Sequence, residues 1–380
     1  MRFLFVSDFV ADPNSGAAGT LIAISGALER AGHAVDLVWK DQRPYRLRHA
    51  TAARLLELPG RQRRQVEARL RAAAYDVVAV SQPYAYRVFE RVAARHPGTL
   101  FINRTHGWEG RLYQARRAFD WDGPASRRLA ARASAGLTRR ACRRAAQAAH
   151  GIVTGSLRCA EWIRRAYGLP DGRVVAIPYG LDPALAPARA PTTTPHPPGG
   201  ALGLLYVGNY LPLKGSNVLE DALPPLGERF PEARLTLVVD PGARERVTAR
   251  FRRSWGDRLT VHPWLERSRL SQVYAEHDVL LYPSLFEGFG KVWLEAMAFG
   301  LCPVGFAEGG LPDIARHEEH ALYCPTGDEE GLEVLLDRVL SAPEQARAIG
   351  RRAAVRVREF TWDRTAAETV AFCQRIAAGR

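Results

Sequence analysis

Short apolar runs of four to six residues alternate along the chain with longer amphipathic stretches. Runs such as 234–239 and 279–282 are too short for helices and are rich in β-branched or aromatic residues, which is typical of buried strands. The stretches between them, such as 216–229 and 268–277, repeat apolar residues at helical spacing. This βαβ alternation predicts parallel sheets that helices cover on both faces.

The pattern predicts six strands in each half of the chain. In the first half they are residues 2–7, 34–39, 76–81, 99–103, 151–154 and 174–177. In the second half they are residues 202–207, 234–239, 259–262, 279–282, 302–306 and 321–323. The fold class is therefore α/β, with two doubly wound domains whose ligands are expected beyond the carboxyl ends of the strands.

A proline-rich segment separates the two halves. Residues 186–200 contain five Pro, three consecutive Thr and two Gly, a composition typical of a linker. We therefore predict an N-terminal domain over residues 1–185, a linker over 186–200 and a C-terminal domain over 201–360. A last helix within residues 361–380 is expected to pack back on the N-terminal domain.

The composition is that of a globular protein, with 47% hydrophobic and 24% charged residues among 380. No apolar run reaches the ~20 residues of a membrane-spanning helix, and the first run is too short for a signal peptide. The cysteines are odd in number and include no C-x-x-C pair, which indicates buried free thiols in a reducing compartment. We therefore expect a cytoplasmic protein. The cysteines are Cys142, Cys159, Cys302, Cys324 and Cys373.

Positive charge is concentrated in the first half. Residues 1–185 contain 30 Lys or Arg against 15 Asp or Glu, whereas residues 186–380 contain 23 against 25. Eleven Arg lie between Arg104 and Arg144. A solvated helix face is one interpretation, and peripheral contact with an anionic membrane surface or a lipid-linked acceptor is another. Nucleic acid is not expected as a partner, because no stacking aromatic residues interleave with the arginines after Ala125.

Candidate chemistry is concentrated between Pro283 and Gly300. A predicted strand is followed by the loop sequence Glu-Gly-Phe-Gly, and a helix is expected to begin at Lys291. Such a loop leaves backbone N–H groups free at a helix N-terminus, where phosphate is favoured. Glu295, about one turn into the helix, can accept two hydrogen bonds from a vicinal diol such as a ribose.

Lysine is rare in this chain. Only Lys40, Lys214 and Lys291 are Lys, whereas 50 residues are Arg. A compact ammonium differs chemically from a planar guanidinium, so the few lysines are candidates for positions that need a point charge.

Several segments resemble, in order, those of retaining GT-B glycosyltransferases of family 4, also called glycosyl transferases group 1. They are the Gly-rich residues 16–19, residues 155–182, the loop 206–215, the two Glu of an E-x7-E motif at 287 and 295, and residues 308–313 and 325–328. The resemblance covers nearly the whole chain. It implies two Rossmann-like domains that face a cleft. It also implies transfer of a sugar from a nucleotide diphosphate sugar to an acceptor hydroxyl, with retention of configuration and without a metal or cofactor.

The resemblance implies roles for the residues of the second domain. Glu287 would hold hydroxyls of the donor sugar, Glu295 the ribose of the nucleotide, and Lys214 the pyrophosphate. Backbone groups would face sugar and phosphate at Phe289, Gly290 and Lys291.

In the first domain, the resemblance implies that Gly16 and Gly19 form a loop that approaches the phosphates closely. It also implies that His106, which follows a predicted strand, lies near the reacting sugar carbon. A purely structural histidine is the alternative interpretation of His106. Relatives of this kind often act on cell-envelope or lipid-linked acceptors, which implies a role in polysaccharide or glycolipid biosynthesis.

One position departs from the family pattern. Five residues before Lys214 the family usually has Arg as a second pyrophosphate ligand, but this chain has Asn209. A charge-assisted hydrogen bond contributes roughly 1.5–3 kcal/mol net, whereas a neutral one contributes about 1 kcal/mol. Lys291 is the candidate for a replacement cation. A nucleotide-sugar epimerase on the same fold and a catalytically weak sugar-nucleotide-binding protein are the alternative functions.

Overall fold

The computed structural model describes residues 1–12, 16–40, 45–47, 50–81, 84–105, 107, 125–185 and 200–380. They form two compact units. Unit 1 comprises Met1–Gly180 together with Trp362–Arg380, and unit 2 comprises Leu181–Thr361. The C-terminal helix therefore belongs to the same unit as the first sheet. Of the predicted linker, only Gly200 is among the described residues.

Unit 1 contains a parallel six-stranded sheet with the strand order β2-β1-β3-β4-β5-β6. Its strands are β1 (Arg2–Val6), β2 (Ala34–Val38), β3 (Val77–Ser81), β4 (Leu100–Arg104), β5 (Gly151–Thr154) and β6 (Val174–Ala176). The helices described in this unit are α1 (Gly16–Arg30), α2 (Ala50–Leu56), α3 (Leu58–Ala72), α4 (Tyr86–Arg91), α5 (Ala125–Ala148), α6 (Leu157–Tyr167) and the C-terminal α14 (Trp362–Ala378).

Unit 2 contains a second parallel six-stranded sheet, with the strand order β12-β11-β10-β7-β8-β9. Its strands are β7 (Gly203–Val207), β8 (Arg234–Val238), β9 (Leu259–His262), β10 (Val279–Tyr282), β11 (Cys302–Phe306) and β12 (Leu322–Cys324). Its helices are α7 (Ser216–Arg229), α8 (Arg244–Trp255), α9 (Arg267–Ala275), α10 (Lys291–Ala298), α11 (Leu311–Ile314), α12 (Glu329–Ser341) and α13 (Pro343–Arg356).

The chain reverses its direction of travel across the second sheet between β7 and β10. From β7 it moves outward to β8 and β9, and then returns to place β10 on the other side of β7. Such a switch point opens a crevice at the carboxyl ends of the two central strands, where doubly wound sheets bind their ligands. The loops after β7 and β10 therefore mark the expected site in unit 2.

Both sheets are buried on both faces, as short continuous apolar runs predict for parallel strands. All residues of β3, β4, β7, β10 and β11 are buried. The predicted α/β class with two parallel sheets is confirmed. The five cysteines are buried and none forms a disulfide. Within the described ranges, no helix is both long and apolar enough to cross a membrane.

The basic stretch of the first half does not form one surface. On α5, the side chains of Arg139, Arg140 and Arg143 are exposed, whereas Arg144 pairs with Glu90 at an Nε–Oε1 distance of 2.7 Å. Arg104 is only 3% exposed, because it is the last residue of a strand that helices cover. The prediction of a solvent-facing basic stretch from Arg104 to Arg144 is therefore wrong for Arg104. Residues 106 and 108–124 lie outside the described part of the chain.

Candidate functional site

Two loops meet at the switch point of unit 2. Lys214 ends a short 3-10 turn after β7, and Glu287 lies in the loop after β10. The backbone N–H of Leu285 donates to the carbonyl of Leu213 at 3.0 Å and joins the loops. The ammonium of Lys214 donates to Oε1 of Glu287, which also accepts a hydrogen bond from the hydroxyl of Ser284 at 3.1 Å. The fold thus brings two predicted site residues into direct contact.

Glycine permits a very close approach of the backbone at two points of this site. Gly215, directly after Lys214, has φ +78°, and a Cβ atom there would lie 2.1 Å from the carbonyl oxygen of Pro283. Gly309 has φ +60°, and its Cβ would lie 2.5 Å from the Cβ of Glu287. No side chain fits either position, so glycine lets the neighbouring loops hold Lys214 and Glu287 in place.

Buried aromatic rings lie beneath the Lys214–Glu287 pair. The rings of Tyr206 and Tyr282 stack with centroids 6.1 Å apart, and Trp293 meets Tyr282 edge to face at 4.7 Å. The ammonium of Lys214 lies 5.8 Å from the centre of the Tyr282 ring. Burial raises the pKa of both tyrosine hydroxyls well above its usual range, so both stay neutral. This apolar floor strengthens electrostatic interactions above it.

Glu295 lies on α10, about one turn after Lys291. Its carboxylate accepts a hydrogen bond from the hydroxyl of Tyr274 at 2.9 Å. Burial raises the pKa of Glu295, although Lys291 and the Tyr274 hydroxyl act in the opposite direction. Burial likewise lowers the pKa of Lys291, against the attraction of Glu295. The helix therefore presents a carboxylate and an ammonium that are both partly removed from water.

A second ion pair lies close to this helix. Arg267, the first residue of α9, pairs with Asp182, and both charges act on Lys291 and Glu295. Arg267 and Tyr274 are seven residues apart on one helix and so share a face. Neither residue was predicted as a site residue from the sequence. Their two-turn spacing just before a buried strand is the signal that could have identified them.

The N-terminus of α10 offers backbone donors. Gly290 has φ +87°, and its carbonyl accepts the N–H of Trp293 at 3.1 Å. The carbonyl of Phe289 accepts the N–H of Gly310 at 2.8 Å. Among the described residues, none accepts a hydrogen bond from the backbone N–H of Gly290 or Lys291. Open N–H groups at the positive end of a helix dipole suit an anion.

Both units match known family models. Residues 14–185 match the model of Glycosyltransferase Family 4, and residues 196–356 match the model of Glycosyl transferases group 1. Sucrose-phosphate synthase from Thermosynechococcus elongatus superposes with a TM-score of 0.76 at 21% identity, over 100% of both chains. The chain has the GT-B fold of glycosyltransferases. The predicted GT-B fold is therefore confirmed.

Two further proteins are similar to this GT-B chain. The Anabaena protein HepE, in complex with UDP and glucose, superposes with a TM-score of 0.65 at 18% identity, over 100% of this chain and 99% of that one. A D-inositol 3-phosphate glycosyltransferase of Streptomyces griseus is 31% identical over 212 residues, 53% of this chain and 44% of the relative. The chain spans about half the length of the curated relatives it matches.

Asn209 lies at the carboxyl end of β7 in the GT-B chain and is exposed. Its backbone carbonyl accepts a hydrogen bond from the Tyr206 hydroxyl at 2.8 Å. The guanidinium of Arg246 donates to the carbonyl of the next residue, Tyr210, at 3.3 Å. A cation that the sequence analysis did not identify therefore lies beside Asn209, on a different element from Lys291.

The predicted site residues of unit 1 are only partly described. His106 lies outside the described residues, as do residues 13–15. Gly16 and Gly19 form the first turn of α1, so the predicted loop is wrong, whereas their approach to the phosphates stays a prediction. The two alanines between them favour helix, and the hydroxyl of Thr20 donates to the carbonyl of Gly16 at 2.6 Å. In the described ranges, no group of three or more His, Cys, Asp or Glu could hold a metal ion.

Proposed function

We propose that the chain is a retaining, metal-independent glycosyltransferase. It transfers a sugar from a nucleotide diphosphate sugar, bound at unit 2, to an acceptor hydroxyl at unit 1. The observation that carries this proposal is the contact between Lys214 and Glu287 at the switch point, beside the open N–H groups of α10. The names of the matching families and the UDP and glucose bound to HepE support it.

We expect each charged group of the site to bind a different part of the donor. The diphosphate accepts hydrogen bonds from the ammonium of Lys214 and from the backbone N–H groups of Gly290 and Lys291. Glu287 accepts hydrogen bonds from sugar hydroxyls, and Glu295 accepts them from the ribose. An ionised acceptor bonds hydroxyl groups more strongly than a neutral one, which suits both carboxylates to these roles.

In this proposal, the bond between the anomeric carbon and the diphosphate oxygen breaks, and the diphosphate leaves with the electron pair. Lys214 and the N-terminus of α10 stabilise the negative charge that develops on the leaving group. The acceptor oxygen bonds the anomeric carbon on the face from which the diphosphate departs, and the acceptor proton passes to the diphosphate. This route retains the configuration without a protein nucleophile. His106 is proposed to lie near the anomeric carbon.

We propose a cell-envelope glycolipid or polysaccharide as the acceptor class and the cytoplasmic face of the membrane as the place of action. The exposed arginines of α5 support an anionic surface as a peripheral contact. Asn209 favours one alternative, a sugar-nucleotide-binding protein with weak catalysis, because its amide lacks the charge of the usual Arg.

Calorimetric titration with UDP, GDP and ADP tests the donor site. Lys214→Met should weaken binding of the preferred nucleotide about 10- to 150-fold, the equivalent of losing one charge-assisted bond of roughly 1.5–3 kcal/mol. Lys40→Met, which removes another of the three lysines from the other unit, is the matched control and should bind normally. Equal affinities in both variants would contradict the assignment of Lys214.

Turnover of a panel of nucleotide sugars with an acceptor extract distinguishes the alternative functions. A transferase forms a glycosylated acceptor, an epimerase forms an isomerised donor, and a binding protein forms neither. His106→Ala should lower turnover far more than nucleotide affinity, because a residue near the reacting carbon stabilises the transition state rather than the bound nucleotide. Unchanged turnover in this variant would make His106 a structural residue.

A further inference from the structure

A guanidinium is buried in unit 1, and no described residue supplies a counterion for it. Arg104 is 3% exposed, and its Nε forms no hydrogen bond. Among the described residues, none forms an ion pair or a hydrogen bond with the Arg104 side chain. The similarly buried Arg347 is different, because it pairs with Asp278 at 3.0 Å and with Glu344 at 2.7 Å. Arg104 is therefore exceptional among the buried cations of the described chain.

The position of Arg104 would suit an apolar residue. Its side chain lies on the same face of the sheet as those of Phe5, Ala79 and Ile102, and all four line one small cavity with Cys373 of α14. A buried charge without a partner is costly, and replacing it with an apolar side chain of similar volume removes that cost. The stability of the sheet therefore does not explain a guanidinium here.

Aromatic packing holds the guanidinium in place. Its central carbon lies 5.9 Å from the centre of the Tyr179 ring, and Tyr179 stacks on Trp362 with centroids 5.9 Å apart. Trp362 begins α14, whose Thr365 hydroxyl donates to the carbonyl of Pro178 at 2.8 Å. An aromatic face attracts the cation but accepts none of its in-plane N–H bonds. The Nε donor of Arg104 is thus positioned without an acceptor among the described residues.

Arg104 stands at the edge of the sheet where ligands are expected. It is the last residue of β4 and pairs in register with Ser81, the last residue of β3. The carboxyl ends of parallel strands form the ligand-binding edge of such sheets. The cavity beneath Arg104 has a volume of about 10 Å³, enough for one water molecule. An oxyanion therefore has to approach from the carboxyl edge.

We propose that Arg104 binds an oxyanion, either a phosphate or a carboxylate, carried by the acceptor at the carboxyl end of β4. A planar guanidinium matches such a group with two parallel hydrogen bonds, and the bound anion supplies the missing counter-charge. The anion site follows from Arg104 itself. That the anion belongs to an acceptor rests on the proposed function.

Thermal unfolding of the full chain tests the site, with inorganic phosphate as the probe and sodium chloride at equal ionic strength as the reference. Phosphate should raise the Tm of the wild type by about 2–4 °C when it stabilises the fold through bound sites. The Tm of Arg104→Met should rise less with phosphate than that of the wild type. In chloride its Tm should lie above that of the wild type, because the unpaired buried charge is gone. An arginine with a structural role would give the opposite sign.

Two controls make the result specific. Arg91→Met, at an exposed arginine of the same unit, should change neither the Tm in chloride nor the phosphate response. Lys214→Met should lose the part of the response that belongs to the donor site. If only Lys214→Met loses part of the phosphate-dependent rise in Tm, the Arg104 site is overturned. If only Arg104→Met loses part of it, the Arg104 site is supported and the donor assignment of Lys214 is contradicted.

Arg104→Lys keeps the charge but not the two-pronged geometry, and it serves if the Met variant does not fold. Its apparent Kd for phosphate, from the concentration dependence of Tm, should be about 10-fold weaker than that of the wild type. A full phosphate response in either Arg104 variant, or none in the wild type, would overturn the proposal. Arg104 would then be satisfied by a buried water molecule.

Discussion

Lys214 holds the carboxylate of Glu287 although 73 residues separate them in sequence. An ammonium has three N–H donors, so Lys214 can keep this bond and still donate to a diphosphate oxygen. Glu287 thereby orients the cation before a donor arrives. A positioned cation loses less conformational entropy on binding than a free lysine side chain, which favours binding of the donor.

Nucleotide affinity should depend on pH through Glu295. Burial raises the pKa of this carboxyl group above its ordinary value of 4.5. The charged form accepts ribose hydrogen bonds, so the affinity for UDP should fall as the pH is lowered from neutral and protonation begins. The free energy of unfolding depends on pH in the opposite sense. Because the pKa of Glu295 is higher in the folded than in the unfolded chain, the group contributes stability at a pH below its unfolded pKa. This contribution is lost as the pH rises through its folded pKa.

Two variants check this pH dependence by calorimetry. Glu295→Gln should bind UDP more weakly and show no fall over this range, because the amide does not titrate. Tyr274→Phe removes a hydrogen bond that lowers the pKa of Glu295, so the fall should move to higher pH. A pH profile that is the same in Glu295→Gln as in the wild type would contradict the ribose role.

Asn209→Arg should increase the affinity for nucleoside diphosphates. If residue 209 borders the diphosphate, the new guanidinium adds a cation beside two phosphates. The gain should be largest at low salt, because exposed charges are screened beyond ~10 Å at 0.1 M ionic strength. Asn209→Gln is the uncharged control. No gain at any salt concentration would mean that another cation, Arg246 or Lys291, already serves this position.

Gly215→Ala should destabilise the chain by about 1–3 kcal/mol or more, because alanine is strained at positive φ and its Cβ would meet the carbonyl of Pro283 at 2.1 Å. Urea unfolding measures the change. Gly136 lies inside α5, and a Cβ there meets nothing within 4 Å. Gly136→Ala should therefore stabilise the chain by about 0.5–1 kcal/mol. Equal effects of the two substitutions would show that the Gly215 loop can relax.

The exposed arginines of α5 should bind anionic vesicles. Each basic residue near an anionic surface contributes up to about 1 kcal/mol, so sedimentation with phosphatidylserine vesicles should decrease when Arg139, Arg140 and Arg143 are changed to Gln. The charge-matched control changes three exposed arginines of unit 2, Arg244, Arg252 and Arg253. Binding that both variants lose equally, or that is absent at low salt, would make α5 a solvated helix face.

Sequence pattern alone predicted the strands of unit 2 closely. The bounds of β9, β10 and β11 agree with the prediction at both ends, because apolar runs between turn residues have sharp limits. Residues 16–19 were predicted as a loop because of their two glycines, but they form the first turn of α1. The bounds of α8 were not predicted. Five arginines among its twelve residues obscure the apolar stripe formed by Val247, Phe251 and Trp255.

The candidate site could be predicted only where its residues lie in one short segment of the sequence. Glu287 and Glu295 lie eight residues apart, and the loop and helix between them fix their relation. Tyr274 and Arg267 approach Glu295 from another helix, through a contact that the packing of α9 decides. That no described residue pairs with Arg104 likewise has no sequence signal, because it depends on which side chains surround the end of β4.

Two of the chain's three ε-amino groups, those of Lys214 and Lys291, belong to the proposed donor site, and the third, that of Lys40, lies 5.7 Å from the centre of the Tyr45 ring in unit 1. Amine-directed acylation therefore has very few targets in an otherwise arginine-rich protein. A bound nucleotide would shield two of them, so peptide mass spectrometry after brief labelling would report the occupancy of the site directly, with Lys40 as an internal reference.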